Sequence, residues 1–245
     1  ALADASGLQA ALASSLGDAL SAPTLHGVTN VATGRRPSSD KVMYAGGSLG
    51  GVMGFCFSLQ NDTISAAVLN VPGAGWTHFI DQADIWSTID TFLRPSTPSS
   101  LDRALGLAMT QTNWDPVDGA AWSRAVDPST KVFLEQMSVG DPVLPNIGSD
   151  LLAAATGARL LGAPLTPWAG LRADDPALGV TTMTHYRVPP TEVSPGAIHG
   201  FADRNSAAGL AARAQVLDFV TSVFAGTPRA TLPATCTEGA CDFAR

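Results

Sequence analysis

The sequence predicts an α/β fold in which a mostly parallel sheet is flanked by helices and interrupted by a helical insertion. Residues 41–71 read as a strand, a glycine-rich turn, a buried helix and a second strand, the pattern of a parallel βαβ unit. Two more apolar strand patterns follow at residues 131–137 and 180–188. The 245 residues are 45% hydrophobic and only 14% charged, which suits one large packed domain rather than a disordered chain.

The first 40 residues precede this unit. Leucines recur at four-residue spacing over residues 2–21, which predicts one amphipathic helix that packs against the body. Residues 22–40 are rich in Pro, Gly, Thr and Ser and predict a loop. The leucines with this spacing are Leu8, Leu12, Leu16 and Leu20.

The βαβ unit is built around one turn. Residues 42–45 predict a short strand, the glycine-rich turn GGSLGG occupies residues 46–51, and an apolar helix follows it. Residues 63–71 predict the next strand, because they are largely apolar and are followed by the strand-ending pair Pro72-Gly73.

Residues 73–128 depart from the alternation of strands and helices. They contain four of the five tryptophans together with helical patterns broken at residues 95–100, which predicts a helical cap inserted into the core. Aromatic side chains in a cap either line an apolar substrate pocket or attach the cap to the body. The candidates for a substrate pocket are Trp76, Phe79 and Trp86.

The pattern of the core resumes after the insertion. The strand at residues 131–137 runs into a polar loop, and a helix is predicted over residues 147–161. A Pro- and Gly-rich loop then leads to the strand at residues 180–188. A loop with His199 between small residues follows, and residues 205–225 predict the last helix. The apolar face of that helix is predicted to contain Leu210, Ala214, Leu217, Val220 and Phe224.

These patterns predict three parts of the chain. Residues 1–72 and 129–227 form the core, residues 73–128 form the cap, and residues 228–245 form a C-terminal tail. Cys236 and Cys241 flank a short loop in the tail and are placed to form a small disulfide, although a reduced pair is the alternative. A disulfide there predicts a secreted or periplasmic protein, whereas Cys56 reads as a buried free thiol.

Composition limits the partners. The net charge of −7 favours neither nucleic acid nor an anionic membrane surface. The uncharged run at residues 42–61 is long enough to cross a bilayer, but its glycines and polar side chains predict a buried core element, so no transmembrane segment is expected.

The four histidines are scattered, and neither a metal nor a cofactor is predicted. Residues from Ala1 onward lack a signal-peptide pattern, so the chain is expected to be mature or truncated.

The turn at Ser48 carries the first functional signal. Gly46, Ser48 and Gly50 fit the pattern G-x-S-x-G between a strand and a helix. Such a turn exposes the serine hydroxyl and places it at a helix N-terminus, where free backbone N–H groups meet developing negative charge. The alternative is a structural glycine turn.

Ser48, Asp141 and His199 each follow a predicted strand, in the chain order serine, acid, histidine. The carboxyl ends of parallel strands lie at one edge of a sheet, so three such loops can converge there. A serine hydroxyl needs a histidine base, and the histidine needs a carboxylate, so the trio predicts a catalytic triad. The competing side chains are Asp81, Asp84, Asp115 and Asp118 for the acid and His78 and His185 for the base.

Three segments resemble the α/β-hydrolases, and within them bacterial secreted lipases and esterases. They are YAGGSLGG at residues 44–51, GDPVLP at 140–145 and IHGF at 198–201. The resemblance extends over residues 1–225. It implies Ser48 as nucleophile, with Asp141 and His199 in the roles given above.

The resemblance also implies that the backbone N–H of Leu49 is one oxyanion donor. Members of this family have several strands ahead of the nucleophile strand, and a loop among them supplies a second donor. Only 47 residues precede Ser48 here, and they predict a helix and a loop. The chain is therefore expected to be the C-terminal part of a longer enzyme, with an N-terminal fragment as a second chain, because its first core strand would otherwise be an open apolar edge.

The expected activity is hydrolysis of a carboxylic ester with a hydrophobic group, on a small-molecule or lipid-like substrate, through an acyl-enzyme. An acyltransferase or peptidase on the same fold, or a catalytically silent binding module, are the alternatives.

Overall fold

The computed structural model describes residues 2–38, 41–192 and 194–245. It confirms the predicted α/β class, with a six-stranded sheet in which every strand pair is parallel and helices pack on both faces. Ten α-helices are present in the described ranges. They are α1 (Leu2–Leu12), α2 (Ser15–Leu20), α3 (Leu49–Gln60), α4 (Trp76–Phe79), α5 (Trp86–Leu93), α6 (Ser100–Trp114), α7 (Gly119–Trp122), α8 (Asn146–Thr156), α9 (Pro195–His199) and α10 (Ala207–Phe224).

Ten short or medium strands belong to the same part of the chain. Six of them build the main sheet and the other four form two small antiparallel pairs. They are β1 (Thr24–Leu25), β2 (Val28–Thr29), β3 (Val42–Gly47), β4 (Ile64–Asn70), β5 (Val132–Ser138), β6 (Arg159–Leu160), β7 (Ala177–Leu178), β8 (Thr182–Arg187), β9 (Arg229–Ala230) and β10 (Cys241–Asp242).

The main sheet has the order β3-β4-β5-β8, with β6 and β10 one after the other along the outer edge of β8. The ends of neighbouring strands are level, because Gly47 pairs with Asn70 and Asn70 with Gln136. Loops that leave these carboxyl ends therefore meet at one edge of the sheet. This edge holds Ser48, which directly follows β3.

The two faces of the sheet bury separate cores. Phe55 and Leu59 of α3 pack with Phe133 and Leu152 on one face. On the other face Phe219 of α10 packs with side chains of β4 and β5. Strand side chains alternate between the faces, so each apolar strand contributes to both cores.

Several predicted elements differ from the structure. The helix predicted over residues 2–21 is two helices, because the chain turns at residues 13–14 and brings Gly17 against the Leu12 carbonyl, where a Cβ would lie 2.1 Å from the oxygen. The helix predicted over 147–161 ends at Thr156, and Gly157 with a φ of 67° closes it. The predicted loop at 22–40 contains the pair β1–β2, and its residues 39 and 40 lie outside the described ranges.

The apolar face predicted for α10 is largely exposed, although Val220 packs against the core. Leu210, Leu217 and Phe224 are 56%, 68% and 41% exposed, whereas Ala211 and Ala212 face the sheet. Small side chains allow the helix to approach the strands closely, so the burial of this helix follows its alanines rather than its leucines.

The C-terminal residues predicted as a tail join the body. β9 pairs with β7, and β10 adds a parallel strand to β8. The predicted disulfide between Cys236 and Cys241 is present, and Cys56 is a buried free cysteine as predicted. Burial raises the pKa of the Cys56 thiol to about 12. No helix in the described ranges is long and apolar enough to span a membrane.

Residues 73–128 are helical, with α4 to α7 in sequence. Asp118, which is fully buried, joins parts of this segment to one another. Its carboxylate accepts hydrogen bonds from the backbone N–H groups of Gly75, Trp76 and Ala120 at 2.9–3.0 Å and from Gln111 Nε2 at 2.9 Å. One side chain therefore joins the beginning, middle and end of the inserted segment.

Candidate active site

Ser48 lies between β3 and α3 with a φ of 57° and a ψ of −126°. This is a strained conformation for a residue with a side chain, and such strain costs about 1–3 kcal/mol. The backbone N–H of Ser48 donates to the Asn70 carbonyl at 2.9 Å, and its carbonyl accepts from Gly51 and Val52 at 2.8 and 3.0 Å. These bonds from the neighbouring strand and the first helical turn hold the strained residue in place.

The glycines beside Ser48 permit a close approach of strand and helix. A Cβ on Gly46 would lie 2.6 Å from the Gly50 carbonyl oxygen and 2.7 Å from the Tyr44 ring. A Cβ on Gly54 would lie 1.9 Å from the same ring. Tyr44 in turn donates its hydroxyl to the Gly50 carbonyl at 2.8 Å. The glycine-rich sequence therefore lets Tyr44 lie under the turn and support it.

Asp141 follows β5, after Gly140 with a φ of 77°. Its Oδ1 accepts hydrogen bonds from the backbone N–H groups of Val143 and Leu144 at 2.9 and 3.1 Å. The second oxygen, Oδ2, lies 2.7 Å from Nδ1 of His199. The carboxylate is almost fully buried, so the loop fixes its orientation toward the histidine.

His199 ends α9, a short helix that replaces the loop predicted at this position. Its Nε2 lies 2.7 Å from Ser48 Oγ, while Nδ1 faces Asp141. A carboxylate only accepts hydrogen bonds, so Nδ1 of a neutral ring carries the proton and Nε2 is left as the acceptor for the serine hydroxyl. The structure thus brings together the three side chains that the sequence predicted, across separations of 93 and 58 residues.

Leu49 is the first residue of α3. Its backbone N–H is one of the first-turn donors that have no acceptor within a helix. The resemblance assigns this N–H to an oxyanion at Ser48, and that role stays a prediction. Its side chain is 58% exposed.

A cavity of about 710 Å³ adjoins Ser48 and His199. It lies between the sheet and α10, on the side of β3. Its walls are largely apolar, and Asn70 of β4 and Gln136 of β5 are among its polar lining residues. The apolar side chains along it are Ala45, Val68, Val71, Ala202, Ala212, Val216, Leu217 and Val220.

Trp76, Phe79 and Trp86, the predicted pocket residues, are not among the side chains that line this cavity. Phe79 is buried against Val52 and Leu144, and Trp76 packs on Phe79 and Trp114 with ring centroids 5.3 Å apart. Trp86 lines a separate cleft between α5 and α6. Trp76 and Phe79 thus attach the inserted segment to the core.

The competing candidates do not lie at Ser48. Asp118 is used to hold the insertion, as described above. His185 is buried in β8, where Leu165 N–H donates to its Nδ1 at 3.3 Å and Trp168 packs on the ring. Burial lowers the pKa of His185 to about 4. In the described ranges, no group of three or more His, Cys, Asp or Glu side chains is placed to hold a metal ion.

Asn70 and Gln136, two polar residues of the cavity lining, were not predicted from the sequence. A signal for each was present. Asn70 is a polar residue at the last position of an apolar strand, and Gln136 lies within another apolar strand. Burying a polar side chain at such a place costs free energy unless the side chain forms hydrogen bonds with another buried group or with a ligand.

The chain matches no protein-family model and has no significant match among curated proteins.

Proposed function

We propose that this protein is a serine hydrolase that cleaves carboxylic esters carrying a hydrophobic group. One observation carries the proposal, the continuous path from Asp141 Oδ2 to His199 Nδ1 and from His199 Nε2 to Ser48 Oγ, each step 2.7 Å long. Four supporting features are the strained serine at a helix N-terminus, the buried carboxylate, the free N–H of Leu49 and the apolar cavity beside them. Together they supply a nucleophile, a base, an oxyanion donor and room for an apolar group.

In the proposed reaction, Ser48 Oγ attacks the carbonyl carbon of the ester while its proton moves to His199 Nε2. The negative oxygen of the tetrahedral intermediate faces the N–H of Leu49. The bond to the alcohol then breaks, and the alcohol leaves with the proton from His199. Water attacks the acyl-enzyme and gives its proton to His199. The carboxylic acid departs and the proton returns to Ser48.

A long-chain alkyl fluorophosphonate tests this proposal. The native protein is expected to gain one phosphonyl group, located on Ser48 by peptide mass spectrometry, and to hydrolyse medium-chain p-nitrophenyl esters. Boiled protein and the Ser48→Ala variant are the controls and are expected to gain none. Absence of labelling on Ser48 in folded protein, or labelling on another serine, would overturn the proposal.

We further expect a second chain to add a strand at the outer edge of β3. This is the position in which the N-terminal fragment was expected from the sequence. β3 is at the end of the strand order, and within the described ranges no strand pairs with its outer edge. Apolar grooves flank this edge on both faces, one of them the cavity at Ser48 and the other a groove of about 420 Å³ that includes Leu8, Leu12 and Phe57. An added strand would satisfy the open backbone groups and cover these surfaces.

Native mass spectrometry and hydrogen exchange of one native preparation test this expectation. A second chain is expected to accompany this one, and the amides of β3 are expected to exchange slowly in the complex and fast after its removal. A preparation that contains a single copy of this chain, is stable and hydrolyses esters at full rate would show that no partner strand is needed.

We propose an extracellular or periplasmic location. The Cys236–Cys241 disulfide supports it, because such bonds persist mainly in oxidising compartments.

A further inference from the structure

A buried network of polar side chains runs beneath the cavity at Ser48. Asn70 Nδ2 donates to Gln136 Oε1 at 3.0 Å, and Gln136 Nε2 donates to Gln215 Oε1 at 2.9 Å. The Tyr186 hydroxyl donates to the same Gln215 oxygen at 2.8 Å. Gln136, Tyr186 and Gln215 are at most 2% exposed. The network joins three strands to α10 and ends at the cavity with Asn70.

Backbone carbonyls fix the direction of every amide in this network. Gln215 Nε2 donates to the Thr231 carbonyl at 3.1 Å, and Gln136 Nε2 donates to the Ala212 carbonyl at 3.0 Å. A backbone carbonyl only accepts, so neither glutamine can be turned over without losing a buried bond. Both hydrogens of the Gln136 amide are used, so its oxygen is the atom that faces Asn70. Asn70 must therefore present its NH₂ group to Gln136.

This arrangement leaves the Asn70 amide oxygen as a preset acceptor. It accepts no hydrogen bond from the described residues, although its NH₂ group is held by Gln136. It lies beside Gly47, where a Cβ would be 3.7 Å from Oδ1, and Gly47 and Asn70 line the cavity together with Ser48. Asp203 carries a carboxylate on the cavity lining, and this side chain is exposed and therefore hydrated. Asn70 Oδ1 is thus an oriented acceptor on a cavity whose lining is largely apolar.

We propose that Asn70 is a specificity residue and that the preferred substrates are esters whose apolar chain carries a hydroxyl group, which donates to Asn70 Oδ1. This inference rests on the proposed ester hydrolysis at Ser48. An oriented acceptor discriminates strongly, because a substrate without the hydroxyl leaves the acceptor unpaired in a cavity from which water has been displaced. A plain alkyl ester would fill the same apolar walls and lack this bond.

Paired fluorophosphonates test the inference on the full chain. Each pair has the same alkyl length, and one member carries a hydroxyl at the second, third or fourth carbon of either the carbon-linked or the oxygen-linked arm. At one of these positions, the hydroxylated member is expected to label Ser48 about tenfold faster than the plain member, or more. In Asn70→Ala this ratio is expected to fall to about one.

The plain probe is the internal control, because the ratio of the two rates within one variant is not affected by a general change in the reactivity of Ser48. Val68→Ala is the matched variant, since Val68 lies two residues before Asn70 on the same face of β4 and lines the same cavity with an apolar side chain. This variant is expected to keep the preference for the hydroxylated probe. Equal rates for all pairs in the wild-type protein would overturn the role of Asn70 while the labelling itself upholds the hydrolase. Absence of any labelling of Ser48 would overturn both.

Discussion

Replacing His199 with alanine is expected to slow the reaction of Ser48 with esters and fluorophosphonates by about 10⁴- to 10⁶-fold. Nε2 of His199 is the group placed to take the serine proton, at 2.7 Å from Oγ. Without it the hydroxyl stays protonated, and a protonated hydroxyl is a poor nucleophile at neutral pH. The rate constant for labelling, measured by intact mass over time, checks this directly.

His78→Ala is the matched control, because His78 lies in α4 of the inserted segment and belongs to neither the triad nor the cavity at Ser48. Its labelling rate is expected to match the wild type within about threefold. Circular dichroism and the unfolding midpoint of both variants show whether the fold is kept. If folded His199→Ala protein reacted as fast as the wild type, the serine would be activated by another group and the triad would be wrong.

Replacing Asp118 with alanine is expected to lower the free energy of unfolding by about 3–5 kcal/mol. The carboxylate accepts four hydrogen bonds, three of them from backbone N–H groups, and it has no exposed surface. Its removal leaves several buried donors unpaired, and each such donor costs about 1–3 kcal/mol. Urea unfolding followed by circular dichroism and by tryptophan fluorescence measures the loss.

Asp81→Ala is the comparison for this variant, because Asp81 is an exposed acid of the same inserted segment. A surface change of this kind is expected to stay within about 0.5 kcal/mol of the wild type. Four of the five tryptophans lie in the inserted segment, so a separate early transition in fluorescence would indicate that this segment detaches before the core unfolds. A loss below about 1 kcal/mol for Asp118→Ala would mean that the segment is held by its apolar contacts alone.

Local sequence patterns predicted the parts of the fold that depend on neighbours along the chain. The turn at Ser48 is one of them, because the need for glycine at Gly46 and Gly54 arises from a strand and a helix that are adjacent in sequence. The strands β4, β5 and β8 are others, since their apolar runs have the length and composition of buried parallel strands. The order of Ser48, Asp141 and His199 after three such strands predicted that they would meet.

Contacts between distant segments decided the rest. The exposure of Leu210 in α10 could not be read from hydrophobicity, because close packing against the sheet favours alanine over leucine. The two-residue strand β10 is too short to show an alternating pattern, and its pairing with β8 exists only in the folded chain.

The candidate site shows the same division. Residue types and their order along the chain predicted the nucleophile, the acid and the base. The shape of the cavity and the direction of the Asn70 amide required the folded structure. That direction depends on Gln136 and on the Ala212 carbonyl, 76 residues further along the chain. Residue types and local turns were enough to name the candidate groups, because both depend on neighbours along the chain. The surroundings of those groups followed from the folded structure, because hydrogen-bond direction and packing depend on groups that are far apart in sequence.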